Sequence, residues 1–353
     1  MTAVDTRAAD RLPLPVQAVR RPGLWCRDLV SCLQSTLGSV LLQHGHDPLA
    51  VLGAGWEFLH LPGDVTGEEF YYPCRVPGDL AGSLAPHHPV GSRWDAAGAE
   101  DPLGALAAEV AAGRLPIAAV DNFHLPFRPA FHDVHAAHLV VVYGVDRGRG
   151  LVHVSDAMPP AFSGPIRVED FLAAWGSANP ADEQDVFFSD ARIAHRYLRV
   201  EVGEPFPALD AGWLQAALRA NRDGFAADPG PGDRYAGTAG LDRYVSALVA
   251  AAAAGEPVPL QEAYTFGWGM QALCSLHGEL LRRQGLRWSV PALSEAGRQV
   301  DAVASAWTGL RVTAAHGWPA PRDCAADLVR HGRRLSARYE TALAAVDRVA
   351  DGW

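Results

Sequence analysis

Three residues of this chain carry side chains that together can turn a sulfur into a nucleophile: Cys32, His138 and Asp156. Cys32 opens an apolar helical pattern. A helix mouth leaves backbone N–H groups without partners, and its dipole favours an anion, so a thiol placed there is predisposed toward the thiolate. His138 heads a hydrophobic strand, where an imidazole can take the thiol proton and later return it to a leaving group. Asp156 ends the following strand, and a hairpin brings it back beside His138, where a carboxylate can hold the imidazole tautomer. Each residue also has a plainer reading. A free Cys is most often a small buried apolar residue, a His can cap a strand, and an Asp can end a strand and start a turn. The conjunction, more than any one member, points to chemistry.

The other cysteines are Cys26, Cys74, Cys274 and Cys324. Cys274 lies in an apolar helical run and reads as core. Cys26, six residues before Cys32, is a second candidate thiol, but the helix and the spacing to Gly45 start from Cys32.

The elements that must position these groups are marked by periodicity. Leu33, Leu37, Val40 and Leu41 form one apolar stripe, which predicts a helix from Cys32 to His44 with Ser31 as N-cap and Gly45 as its stop. His138–Val145 is a near-continuous apolar run, and Leu151–Ser155 follows it across the turn Asp146-Arg-Gly-Arg-Gly150, which predicts a hairpin. Further strands are expected at 115–120 and 197–202, and helices at 102–112 and 168–175. The stretch 51–58 is interrupted by Gly, and 60–100, rich in Gly, Pro and Asp, reads as irregular. Beyond about 205 the pattern is helical: roughly 210–223, 238–254, 260–284, 294–313 and 322–350. The expectation is an α+β fold, an antiparallel sheet domain followed by an all-α domain. The division expected is a flexible arm over 1–20, a catalytic domain over 21–204 and a helical substrate or lid domain over 205–353.

Composition excludes several classes. The 353 residues carry 30 basic and 40 acidic side chains, a net charge of −10, which disfavours nucleic acid and anionic membranes as partners. Every one of those basic residues is Arg. The absence of Lys removes Schiff-base, P-loop, kinase and Ser-Lys chemistries. No apolar run approaches the ~20 residues of a membrane helix, and the first fifteen residues contain no apolar segment of the signal-peptide kind. Five scattered cysteines make a disulfide framework an unlikely reading and a reducing cytoplasm the expected location. His124, His132, Asp133, His135 and His138 crowd one stretch, but Pro126 and Pro129 argue for a loop there and no ligand-spacing motif appears, so no metal is expected. Trp56, Phe58, Trp268 and Cys26 are expected to contact substrate; the plainer reading of aromatics at helical spacing, as for Trp268 and Trp307, is core.

The residues also carry a resemblance. Cys32-Leu-Gln-Ser-Thr-Leu-Gly-Ser-Val-Leu-Leu-Gln-His-Gly45 followed by Leu52-Gly-Ala-Gly-Trp-Glu-Phe58 is similar to the opening of the butirosin biosynthesis protein H N-terminal family. So are Val120-Asp-Asn-Phe-His-Leu-Pro126, His135-Ala-Ala-His-Leu-Val-Val-Val-Tyr-Gly-Val-Asp146, Val154-Ser-Asp156 and Gly164, in order and spacing. The resemblance covers roughly residues 24–176. That family resembles in turn the bacteriocin-processing cysteine peptidases, so it implies a papain-like fold, with Cys32 as nucleophile, His138 as base and Asp156 as the orienting carboxylate. Papain-like enzymes place a Gln, an oxyanion donor, about six residues before the Cys; here that position is Cys26.

The resemblance implies acyl transfer or release from a thioester in specialised-metabolite biosynthesis, through an acyl-Cys intermediate. The thioester would be presented on the phosphopantetheine arm of an acyl or peptidyl carrier protein, and no resident cofactor is expected. The acceptor is either a small molecule or a nucleophile within the acyl chain, which would give a ring. Docking of an acidic carrier would need a local Arg patch, with Arg20, Arg21 and Arg27, or Arg330, Arg333, Arg334 and Arg338, as candidates. The alternatives are a cysteine protease, amidase or thioesterase with the same three residues, or a non-catalytic scaffold that binds a carrier or metabolite.

Overall fold

The computed structural model describes residues 18–61, 78–98, 100–227 and 235–353. In chain order the elements are α1 (Cys32–Gln43), α2 (Pro48–Leu52), β1 (Leu59–His60), α3 (Leu80–Leu84), β2 (Val90–Ala96), α4 (Pro102–Ala111), β3 (Ile117–Asp121), β4 (Ala137–Asp146), β5 (Leu151–Asp156), β6 (Phe162–Arg167), α5 (Val168–Trp175), β7 (Arg196–Val202), α6 (Ala211–Ala226), β8 (Tyr235–Ala236), α7 (Gly237–Ala254), α8 (Val258–Arg287), α9 (Pro291–Gly317) and α10 (Pro321–Ala350). The class is α+β, as the patterning predicted. Among the described residues no helix is long and apolar enough to cross a membrane. Cys74 and the arm before residue 18 lie outside the described residues.

The chain forms two compact units. Among the described residues the first takes 18–27, 32–46 and 91–202, and the second 28–31, 47–90 and 203–353. Among the described residues, 47–61 and 78–90 group with the C-terminal helices. The reason lies in Trp56 and Phe58, which find their aromatic partners there.

The first unit is a six-stranded sheet of order β2-β7-β3-β4-β5-β6. The pairings β3–β4, β3–β7, β4–β5 and β5–β6 are antiparallel. Central strands are apolar at nearly every position: β3 is wholly buried, and β4 is buried over all but its last residue. Val120, Val140, Val142, Val152 and Val154 pack with Leu103, Leu106 and Val110 of α4 and with Phe171 and Trp175 of α5. Helix α1 lies against β4 and β7.

Two strands of this sheet carry no strand signal in the sequence, and both are edges. In β2, Val-Gly-Ser-Arg-Trp-Asp-Ala offers little apolar alternation; β6 contains Gly164 and Pro165. An edge strand has a free side on which a missing N–H costs no ladder bond, so Pro is tolerated there.

Helix α1 ends as its sequence requires. Gly45 takes φ +80, with Gly45 N–H donating to Leu42 O and His46 N–H to Leu41 O, both at 3.0 Å. That pair of bonds is the Schellman closure, which needs a left-handed residue and so favours Gly. Gly38, inside the same helix, has another role. A Cβ there would overlap the Trp25 ring, whose backbone carbonyl also accepts from Ser35 Oγ at 2.8 Å. Trp25 is thereby clamped flat onto α1.

The second unit is helical, with β1 and β8 as a short antiparallel pair. Trp56 stacks on Tyr339 at 5.9 Å and 6°, and Phe58 on Trp307 at 6.3 Å and 6°. Trp307 Nε1 donates to Tyr339 Oη at 3.0 Å, and Trp56 Nε1 to Cys274 Sγ at 3.4 Å. Burial pushes the Cys274 thiol up to about 12, as befits a core residue.

His277 in α8 is fully buried, bonds Gly53 O through Nδ1 at 2.7 Å, and is pushed down to about 4 by burial. Its folded value lies below the unfolded one, so stability is lost as pH falls from 6.5 toward 4. The loss amounts to roughly 3 kcal/mol, at ~1.4 kcal/mol per pH unit. Urea unfolding followed by tryptophan fluorescence should therefore show a lower midpoint at pH 4.5 than at pH 7. His277→Asn keeps a donor for Gly53 O and removes the titration, so it should flatten that dependence; an unchanged slope would assign the acid lability elsewhere.

Candidate active site

Helix α1 begins at Cys32, so the Cys32 N–H is among those without an intrahelical partner. The side chain is half-buried and the thiol is free. The Cys32 carbonyl accepts from Thr36 Oγ1 at 2.7 Å, which secures the first turn.

His138 is the second residue of β4, paired opposite Val120 of β3. Asp156 is the last residue of β5, and the β4–β5 register sets Val141 against Ser155. The hairpin thus returns Asp156 diagonally toward His138. The His138 Nε2–H donates to Asp156 Oδ2 at 2.8 Å, leaving Nδ1 as the other ring nitrogen. Cys32 also acts on His138, adding to the upward pull on its pKa. The structure brings together the three residues that the sequence singled out.

The electrostatics of His138 are a contest. Burial, the strongest single influence, pulls its pKa down. The Asp156 carboxylate, by charge and by hydrogen bond, and Cys32 together outweigh burial and lift it to about 9. An imidazolium at this position is the natural counter-ion of a thiolate.

Asp156 has donors on both oxygens. Oδ1 accepts from Met158 N–H at 2.9 Å, and Oδ2 accepts from His138 and from Arg128 Nη1, the latter at 3.1 Å. Sequence reasoning missed Arg128. It stands in the Pro-containing loop before β4, 28 positions from its partner, and nothing local signals that contact.

The remaining candidates separate. The Cys26 sulfur sits 3.9 Å from Met158 Sδ and 3.5 Å from Arg27 O. It lies six residues before Cys32, and a thiol is a far weaker donor than an amide. Trp56 and Phe58, expected to line a substrate pocket, are 1% and 2% exposed inside the helical core and have no face to offer a ligand. Trp268 is half-buried; its Nε1 donates to Leu29 O at 3.0 Å, and the Arg311 guanidinium lies 5.7 Å from its ring. Gln34 is buried within α1.

The histidine-rich stretch resolves into different partnerships. His138 belongs with Asp156, whereas His135 Nδ1 bonds Asp121 Oδ2 at 2.7 Å and stacks on Phe123. Asp121 also accepts from Ser177 Oγ and from the N–H groups of Phe123 and Ala136. This second carboxylate fastens the loop that carries Arg128. Among the described residues no group of three or more His, Cys, Asp or Glu side chains is arranged to hold a metal ion.

Of the Arg patches, Arg21 bonds Ser163 Oγ, Arg27 lies over the Trp25 ring, and Arg330 pairs with Asp327 at the surface.

No curated protein matches the chain. Residues 31–157 match the family described as Butirosin biosynthesis protein H, N-terminal. The matched segment spans Cys32, Arg128, His138 and Asp156, and over that segment the chain is similar to this family.

Proposed function

We propose that the chain is a biosynthetic enzyme of an antibiotic-type pathway and that it transfers an acyl group through Cys32. The family's own name supports the pathway. The observation that carries the chemistry is His138, hydrogen-bonded to Asp156 and electrostatically coupled to the thiol at the mouth of α1.

The steps balance as follows. The Cys32 thiolate attacks the carbonyl carbon of an incoming thioester, and the Cys32 N–H at the helix mouth donates to the developing oxyanion. As the tetrahedral adduct collapses, the original C–S bond breaks. The departing thiolate takes the proton from the His138 imidazolium and leaves as a thiol, and Cys32 remains acylated. An amine, hydroxyl or carbon nucleophile then loses its proton to His138 and attacks the acyl-Cys. Cys32 departs as thiolate, restoring the ion pair. Asp156 keeps the ring oriented and offsets its charge throughout. A carrier protein delivering the thioester on a phosphopantetheine arm fits this order of events, with either a separate acceptor or attack from within the acyl chain.

Intact-protein and peptide mass spectrometry after incubation with a short acyl-pantetheine thioester tests the reading. The expected result is one acyl adduct on the peptide containing Cys32, discharged by an added amine. Saturable thioester binding without any adduct on Cys32 would overturn it in favour of a binding scaffold.

A further inference from the structure

Asp156 Oδ2 serves two donors, His138 Nε2 at 2.8 Å and Arg128 Nη1 at 3.1 Å. The same Arg128 nitrogen also donates to the carbonyls of Met158 and Pro159, at 3.3 and 3.4 Å. Arg128 Nε is buried and finds no partner among the described residues. An arginine kept only to pin a loop would use its rigid fork of five N–H donors. Here every hydrogen bond comes from one nitrogen. What the rest of the group contributes is a full positive charge, 13% exposed, against a carboxylate that is 0% exposed. Charges so placed are weakly screened by solvent.

We propose that Arg128 is a positioning residue that tunes His138 through the Asp156 oxygen they share, and this rests on the reading of His138 as the proton carrier for Cys32. Arg128 holds the carboxylate at a fixed angle to Nε2 and offsets part of its negative charge. The charged and titratable groups facing His138 are Asp156 from β5 and Cys32 from α1; Arg128, from the loop before β4, acts through Asp156. The offset has a use. A bare buried carboxylate would grip the imidazolium too tightly for it to surrender a proton to a departing thiolate, and general acids work best with a pKa near the operating pH.

The test is a titration of His138 by NMR in the full chain with labelled histidine and Cys32→Ser in place, alongside acylation rates in the chain that retains Cys32. Arg128→Gln and Arg128→Met remove the charge while keeping an unbranched stem of similar bulk, two atoms shorter. Both should raise the His138 midpoint by about one pH unit, a tenfold change in its acid constant. Arg128→Lys, which keeps the charge, should return the midpoint to within a few tenths of a unit. With Cys32 intact, the neutral variants should acylate about tenfold or more slowly from a short acyl-pantetheine thioester, with the alkaline limb displaced upward in parallel. An unmoved midpoint in either folded neutral variant, or a Lys variant shifted as far as the neutral ones, would overturn the proposal. A shifted midpoint in a chain that never acylates would uphold the tuning role while removing the acyl-transfer reading.

Discussion

Cys32→Ala should lower the rate of acyl transfer by at least about three orders of magnitude, as the loss of the attacking atom does in enzymes that form acyl intermediates. Cys26→Ala should keep turnover within about tenfold, because the thiol that acts on His138 is that of Cys32. The Cys26 sulfur has other neighbours, Met158 Sδ and Arg27 O. Steady-state kinetics on both variants with one thioester donor decide the matter. The reverse ranking would move the nucleophile to Cys26 and break the link between α1 and the chemistry. Thermal melts of the two proteins guard against a trivial folding loss; neither side chain is in the fully buried core.

Asp156→Asn should cost on the order of 10²–10⁴-fold at neutral pH. The size follows from the contest at His138. With the carboxylate in place the imidazolium survives to about pH 9, so kcat/KM should decline as pH rises through that value. Without the charge, burial is left as the dominant influence and the His138 pKa falls. The alkaline limb should therefore move downward, so that at pH 7–8 the ring is neutral. The same balance has a stability consequence of opposite sign to that of His277. His138 is lifted above its unfolded value, so its contribution is complete below about 6.5 and disappears as pH climbs through 9. A pH–rate profile of Asp156→Asn with its alkaline limb still near 9 would show that another group governs the limb.

The sequence foretold the helix that starts at Cys32, the hairpin that returns Asp156, and every long helix after 205, because each rests on a strong local period or a turn signal. What it concealed has identifiable physical causes. Strands β2 and β6 sit at the sheet edges, where polar residues, Gly164 and Pro165 carry little cost, so the usual signs of a strand are absent. Trp56 and Phe58 lie in a Gly-interrupted stretch beside the candidate helix, yet their partners Tyr339 and Trp307 are hundreds of residues away, a distance no local pattern reports. Arg128 was hidden for the same reason, since its importance exists only once the hairpin has closed. Gly38 is the converse case. It interrupts a good helix for no local reason, and such a residue marks a place where something large comes close, here the ring of Trp25.

The way the polypeptide passes back and forth between its two units, at 27–28, 31–32, 46–47, 90–91 and 202–203, bears on how this protein can be dissected. A fragment ending near 204 would strand Trp56 and Phe58 without the helices that cover them, and the complementary fragment would lack those two rings from its own centre. Neither piece is an inheritable module on its own. A functional exchange with a relative would have to swap 47–90 together with everything after 203, leaving α1 and the sheet behind.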